Sequence, residues 1–242
     1  MDVWSGKTIT QDLSDYVDII KKHEATVMFN PNPLLTLAEM MPYEDYCSIE
    51  NIEIEFYNYK PISKTVPKIG YFKINLINSL KSKVGVDVTV NDPIKECTFD
   101  MIVTGFCTTD NITEYKMAWH LDKDEEVSDE ARQKYTHPLY HFQYGGRNMD
   151  GLTTGDVMLM GAPRLPHPPM DIFLSIHFIL NNYFNKEECD YSCLKLLFSD
   201  DDYIAILERA KERMWYPYFN GLSRTGNSHQ ELNIASLFPL AV

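Results

Sequence analysis

The chain is short of positive charge. Its 242 residues contain 22 Lys and Arg against 35 Asp and Glu, so the formal net charge is -13. Proteins that bind phosphate backbones without sequence preference rely on clustered Lys and Arg, which release counterions on binding. The charge therefore argues against a general DNA- or RNA-binding protein. A nuclease with a local basic or metal-charged pocket stays open, because a bound ion can dominate the charge of its own site.

Cysteine is also scarce and irregularly spaced. The five cysteines are Cys47, Cys97, Cys107, Cys189 and Cys193. An odd number without framework spacing is typical of a compartment in which thiols stay reduced, so we predict a cytoplasmic protein. Cys189 and Cys193 would share one helix face, but two thiols without a second pair more often pack against apolar surface than bind metal.

Long apolar runs, export signals and common catalytic motifs are missing. No segment approaches the roughly 18 apolar residues of a membrane span, and no basic stretch followed by an apolar one opens the chain. We therefore expect no membrane association and no export. The nucleotide-binding patterns Gly-x-x-x-x-Gly-Lys-Ser/Thr and Gly-x-Gly-x-x-Gly are absent, as are Gly-x-Ser-x-Gly and His-Glu-x-x-His. A minimal Glu-x-Lys nuclease pattern occurs at Glu114 to Lys116, with Asp100 on a neighbouring strand, but so short a pattern arises easily by chance.

Hydrophobic periodicity predicts an α+β fold. A helical period covers residues 10–24 after an N-cap at Thr10, and a second short helix follows Pro33. A period of two then predicts strands, and the period becomes helical again near the C-terminal end. The strands are predicted at 49–57, 69–77 (with a turn at 78–83), 84–90, 99–108, 114–122, 137–144 and 156–160, and the later helices at 168–184, 193–198 and, after a Ser199 N-cap, 203–215.

The predicted architecture is a mainly antiparallel meander that C-terminal helices cover, with an N-terminal helix at its edge. We predict one α+β domain over 1–242. Its segments are a helical part at 1–48, the sheet at 49–160, helices at 161–218 and a C-terminal tail at 219–242. The tail ends in Leu237, Phe238 and Leu240, which either dock on their own domain or bind a partner's groove.

Polar chemistry concentrates between residues 136 and 171. On a strand, His137 and His141 share a face, and His120 on the preceding strand is close enough to join them. Such histidines can ligate a metal ion or move protons on a phosphodiester. The candidate catalytic residues are His137, His141 and Arg164, and the candidate metal ligands are His137, His141, His167 and Asp171. In the alternative, structural interpretation the histidines fix loops by hydrogen bonds, and Arg164 pairs with the acidic segment 122–130.

One stretch also carries a resemblance. The succession His-Pro-x-x-His-x-Gln-x-Gly-Gly, then Pro-Arg-Leu-Pro-His-Pro-Pro-Met-Asp, then Ile-Leu-Asn-Asn-Tyr-Phe covers roughly residues 136–184. It resembles uncharacterised bacterial proteins encoded near mobile elements and phage-defence genes. The resemblance implies a setting, that of a bacterial cytoplasmic accessory protein, and it assigns no catalytic residue.

These observations lead to three functional hypotheses. The first is a non-enzymatic interaction or regulatory subunit of a bacterial defence or toxin-antitoxin-like system, which binds another protein and needs no cofactor. The second is a His-dependent phosphodiesterase or RNase, with or without a divalent metal. The third is an acidic mimic of nucleic acid, which requires carboxylates in a row spaced like phosphates.

Overall fold

A six-stranded antiparallel sheet forms the centre of the protein. The computed structural model describes residues 2–41, 47–60, 69–83, 91–108, 113–123, 138–152 and 165–223, together with Leu232 and Leu237. The strands are β1 (Ser48–Asn58), β2 (Ile69–Ser82), β3 (Ile94–Cys107), β4 (Glu114–Lys123), β5 (Tyr140–Tyr144) and β6 (Leu165–Pro166). Each strand pairs with the next one along the chain, in the order β1 to β6. The predicted α+β meander is therefore confirmed.

Five α-helices accompany the sheet in the described part of the chain. They are α1 (Gly6–Lys22), α2 (Asn32–Met40), α3 (Ile172–Tyr183), α4 (Cys193–Leu197) and α5 (Asp201–Ser223). Among the helices that the structure describes, none combines the length and the apolar character needed to cross a membrane. The predicted strands at 84–90 and 156–160 lie outside the described residues.

The predicted starts of α1 and α3 and the predicted cap of α5 were wrong, because another side chain caps each of these three helices. Ser5 caps α1 by accepting the backbone N–H of Thr8, so the helix begins well before residue 10. The carboxylate of Asp171 accepts the N–H of Leu174, so α3 begins after Pro168 and Pro169. The carboxylate of Asp200 accepts two backbone N–H groups in the first turn of α5, so Asp200 is the N-cap instead of the predicted Ser199.

The predicted turn at 78–83 was also wrong, since β2 continues through it to Ser82. Asn78 is fully buried, and its side-chain amide donates to the carbonyl of Met170 and to the hydroxyl of Ser175, at 3.3 and 3.2 Å. Polar residues that are typical of a turn here make buried contacts with the start of α3. At the other end of the chain, α5 continues through Pro217 to Ser223, beyond the predicted end at residue 215.

Among the described helices, α1 and α3 pack on one face of the sheet. Phe99 of β3 contacts Phe178 of α3 with ring centroids 5.9 Å apart, and Phe72 of β2 contacts Tyr183 at 6.2 Å. Helix α1 packs on this layer through Tyr16, whose ring lies 5.4 Å from Phe173. Because successive side chains on a strand alternate, the intervening residues of every strand point to the opposite side. We call that side the open face.

A buried ion pair joins the helices to one another. Arg213 of α5 donates two hydrogen bonds to the carboxylate of Asp171, and the shorter one measures 2.8 Å. Both side chains are almost completely buried. Arg213 also donates to the carbonyl of Val3, so a single guanidinium contacts the start of α3 and the segment before α1. Arg209, one turn earlier, pairs with Asp12 of α1 in the same way.

Removing one partner of the buried pair should therefore cost far more than removing both. Asp171→Ala leaves a buried, unpaired guanidinium, and we expect it to lower the free energy of unfolding by about 3–5 kcal/mol. The double variant Asp171→Ala with Arg213→Met should lose less than Asp171→Ala alone. Urea denaturation at pH 7 measures both changes.

The control for this cycle is Glu187→Ala, which breaks an exposed pair with Lys195. Its effect should stay below about 1 kcal/mol, because exposed pairs are screened by water. If the effects of Asp171→Ala and Arg213→Met simply added in the double variant, the two side chains would not be coupled, and the interpretation would be wrong.

Candidate functional site

Three potential metal ligands meet on the open face. His120 and Asp122 lie two residues apart on β4 and share that face, and His141 lies directly opposite Asp122 on β5. One ligand atom from each of the three residues lies within 4.8 Å of the others. His120 Nε2 is 3.8 Å from Asp122 Oδ2, and the two imidazole rings are nearly perpendicular, with centroids 6.1 Å apart.

This donor set suits a divalent transition metal. Two imidazole nitrogens and one carboxylate oxygen are ligands that Zn²⁺, Fe²⁺ and Mn²⁺ accept, at bond lengths of about 2.0–2.2 Å. The three ligand atoms lie within 4.8 Å of one another on one face of paired strands, so side-chain rotation would have to draw them together to bind an ion. Three protein ligands leave a coordination position for water, which is the pattern of catalytic zinc sites rather than structural ones.

A second carboxylate lies beside the three ligands. Asp100 of β3 is directly opposite His120 across the β3–β4 pair, and Gln143 of β5 is opposite His120 on the other side. Cβ atoms of directly opposed residues are about 4.5–5.5 Å apart. Asp100 and Gln143 are both buried. A buried carboxylate at this distance is able to orient an imidazole or to accept a proton from a metal-bound water.

Hydrogen bonds on the helix-covered side hold the two ligand-bearing strands together. The hydroxyl of Tyr140, the neighbour of His141, donates to Asp92 Oδ2 at 2.6 Å. Lys123, the neighbour of Asp122, places its Nζ 2.9 Å from the same oxygen. Asp92 is buried and also accepts the backbone N–H of Ile94. This cluster ties the ends of β4 and β5 to the start of β3, directly behind the three ligands.

The structure brings one predicted site residue, His141, into this cluster. His120, which we expected close by, joins it, and Asp122 is an addition that sequence reasoning assigned to a solvated acidic segment. The available signal was the His-x-Asp spacing on β4, which places both residues on one face. That spacing alone does not show that Asp122 faces His141. The pairing depends on the register of β4 against β5, which the sequence between the two strands does not reveal. His137 and Arg164 lie outside the described residues.

The other two predicted ligands lie away from His141. The backbone N–H of His167 donates to the carbonyl of Tyr140, and its ring lies 5.3 Å from Phe142, which puts it on the helix-covered side of the sheet. Its Nδ1 donates to the carbonyl of Pro168 at 2.7 Å. The carboxylate of Asp171 caps α3 and pairs with Arg213. Neither residue shares a donor set with His141.

Two of the cysteines and one of the apolar residues near the C-terminal end lie in the protein interior. Cys47 and Cys97 are buried, and burial raises the pKa of each thiol to about 12, so both stay protonated. Leu237 is completely buried within its own chain, as is Leu232. A Cβ added to Gly221 of α5 would come within 2.4 Å of the carbonyl oxygen of Leu232, so the chain returns closely onto the end of α5. Phe238 and Leu240 lie outside the described residues.

Comparison with protein-family models, with curated proteins and with solved structures finds no match to this chain.

Two histidines outside the cluster are held neutral by burial. His177 of α3 lies against the rings of Phe198 and Tyr203, and its Nδ1 is 3.0 Å from the Tyr203 hydroxyl. Burial, aided by nearby Lys211, lowers the pKa of His177 to about 4. Burial also lowers the pKa of His167, against a smaller opposite effect of the Pro168 carbonyl.

Stability should therefore fall in mildly acidic solution. In the unfolded chain the pKa of a histidine is about 6.5, so between that value and about 4 the unfolded state binds the extra proton. The contribution of neutral His177 to the free energy of unfolding is complete above pH 6.5 and is lost as the pH drops towards 4. In urea titrations between pH 7 and pH 4.5, His177→Gln should show a shallower decline than the parent protein. Parallel declines in the two proteins would contradict this assignment, whatever their absolute stabilities.

Proposed function

We propose that this protein binds one divalent transition-metal ion through His120, Asp122 and His141 and uses it for hydrolysis. The observation that supports the proposal is the convergence of three suitable ligand atoms within 4.8 Å on the open face. A metal ion in a three-ligand site lowers the pKa of a bound water to about 7 and polarises the bond under attack. Asp100, opposite His120, would be the carboxylate that takes the proton from this water.

Phosphodiesters, including RNA, are the first substrate class to test. The chain carries a net charge of -13, which repels a phosphodiester at long range. A divalent cation supplies local positive charge where the substrate reacts, and its own charge dominates the field of its site. The metal would then be responsible both for substrate affinity and for activation of the nucleophile.

Metal content and hydrolysis should depend on the same residues. The protein purified without a histidine tag should contain about one metal ion per chain by elemental analysis. His141→Ala and Asp122→Asn should each weaken metal binding by at least about tenfold in calorimetric titrations with Zn²⁺ and Mn²⁺, which corresponds to about 1.4 kcal/mol. Cleavage of bis(p-nitrophenyl) phosphate and of labelled RNA should fall in parallel.

Two matched variants serve as controls for this experiment. His167→Gln changes a histidine on the covered side of the sheet, and Asp190→Asn changes an exposed carboxylate paired with Lys60. Both should retain the metal. Metal that persists in His141→Ala, or is lost equally in His167→Gln, would reject the assignment of ligands. Metal without hydrolysis of either substrate would reject the substrate class.

An interaction role is a second proposal, and one surface feature favours it. Tyr216 and Phe219 lie three residues apart on α5, so they share a side of the helix, and each is 49% exposed. Two adjacent exposed aromatic side chains are typical of a surface that contacts another protein. The buried Leu237 is less suited to this role, and a setting in bacterial defence or a toxin-antitoxin-like system stays a prediction.

Site-specific photocrosslinking tests the second proposal. A photoreactive phenylalanine analogue at Phe219 should give a discrete crosslinked product in cells, because a specific partner would cover this position. The same analogue at Leu196, an exposed position of α4, is the control and should give none. Equal products from both positions, or none from Phe219, would count against an interface at the end of α5.

A further inference from the structure

The open face carries a second feature, a groove over β1, β2 and β3. Its volume is about 590 Å³, within the range of about 300–1,000 Å³ that is typical of ligand sites. The polar side chains that line it are Asn30, Glu53, Glu55, Tyr57, Lys73, Asn75 and Thr104. The register of β1 and β2 places Tyr57 directly opposite Lys73 and Glu55 directly opposite Asn75, so these lining side chains are cross-strand neighbours.

The charges of this groove largely neutralise one another. Glu55 accepts a hydrogen bond from the hydroxyl of Tyr57, and its Oε1 lies 3.2 Å from Lys73 Nζ. The Tyr57 hydrogen bond, helped by Lys73, lowers the pKa of Glu55, so this carboxylate is ionised and already paired at neutral pH. Two carboxylates and one amine leave a formal charge of -1 in the groove. Such a wall attracts neither a polyanion nor a polycation strongly.

The exposed ring of Tyr57 lines the groove, and other aromatic rings lie beside it. Tyr57 and Tyr59 stack with nearly parallel rings whose centroids are 6.3 Å apart. Tyr59 is 66% exposed and Tyr57 is 37% exposed. Next to them on the open face, Tyr71 of β2 stacks on Phe106 of β3 with centroids 4.4 Å apart. Flat apolar surface and hydrogen-bonding groups therefore adjoin each other on one side of the sheet.

We propose that this groove binds an uncharged polyhydroxylated ligand, namely an oligosaccharide. Each sugar hydroxyl is both donor and acceptor, and the groove offers carboxylate acceptors, amine donors and amide groups that do both. The C–H face of a sugar ring packs on an aromatic ring and buries apolar area there. Near-neutral charge, mixed donors and acceptors, and exposed rings match this ligand better than RNA or a polyamine.

The groove and the metal ligands occupy the same face but are separate sites. Ile102 of β3, which lines the groove, lies one strand and two residues away from His120. Strand geometry puts these Cα atoms about 8 Å apart. None of the three metal ligands lines the groove, so sugar binding there does not depend on metal binding.

Binding is tested on the full chain with defined probes. The probes are hexasaccharides of glucose (β-1,4, β-1,3 and α-1,4), mannose, xylose and N-acetylglucosamine, each followed by saturation-transfer NMR and by calorimetry. At least one should bind saturably. The groove variants Glu55→Gln with Asn75→Ala, and Tyr59→Ala alone, should weaken that binding at least about tenfold. Tyr59→Ala removes an exposed ring, so it preserves the test if the double variant does not fold.

Two controls separate this proposal from the others. Asn182→Ala removes an exposed amide on α3, far from the open face, and should bind the sugar normally. His141→Ala should also bind it normally, because the metal site is not required. Absence of saturable binding to every hexasaccharide at 5 mM, or binding unchanged in both groove variants, would overturn the proposal. So would saturable binding of a dodecathymidine or of spermine in the groove with no sugar binding.

Discussion

The arrangement of the helices depends on the buried ion pair between Arg213 and Asp171. The carboxylate of Asp171 ends the connection from β6 by capping α3, and Arg213 fixes that cap to α5 and to the segment before α1. Two charges removed from water tolerate very few geometries, because each must keep its partner. Helix α3 is therefore held at one position over the sheet and covers one of its faces.

The open face then decides where chemistry is possible. Alternation along β4 and β5 sends Leu121 and Phe142 into the core beside Phe99, and the same alternation places His120, Asp122 and the buried His141 on the opposite face. The cluster of Tyr140, Asp92 and Lys123 anchors both strands from behind. Polar groups on this face are thus placed by the packing of the opposite face, and the metal ligands and the polar groove share one scaffold.

Much of the fold could be predicted from hydrophobic period alone. Strands β1, β3 and β4 and the helical regions followed from apolar residues at intervals of two or of three to four, since burial of one face imposes those intervals. Helix starts could not be placed in this way, because the capping oxygens of Ser5, Asp171 and Asp200 leave no mark on the apolar pattern. The extension of β2 was missed because Asn78 is stabilised by contacts with α3, distant in sequence.

The sequence by itself determined the acidic charge, the succession of helical and strand periods, and which residues of one strand share a face, because these depend on composition and on neighbouring residues alone. Only the tertiary structure decided which of these residues meet. In the folded chain Asp122 lies opposite His141, His167 lies on the helix-covered side of the sheet, and Asp171 forms a buried ion pair with Arg213. Such pairings depend on strand register and helix packing, which arise from contacts between residues far apart along the chain.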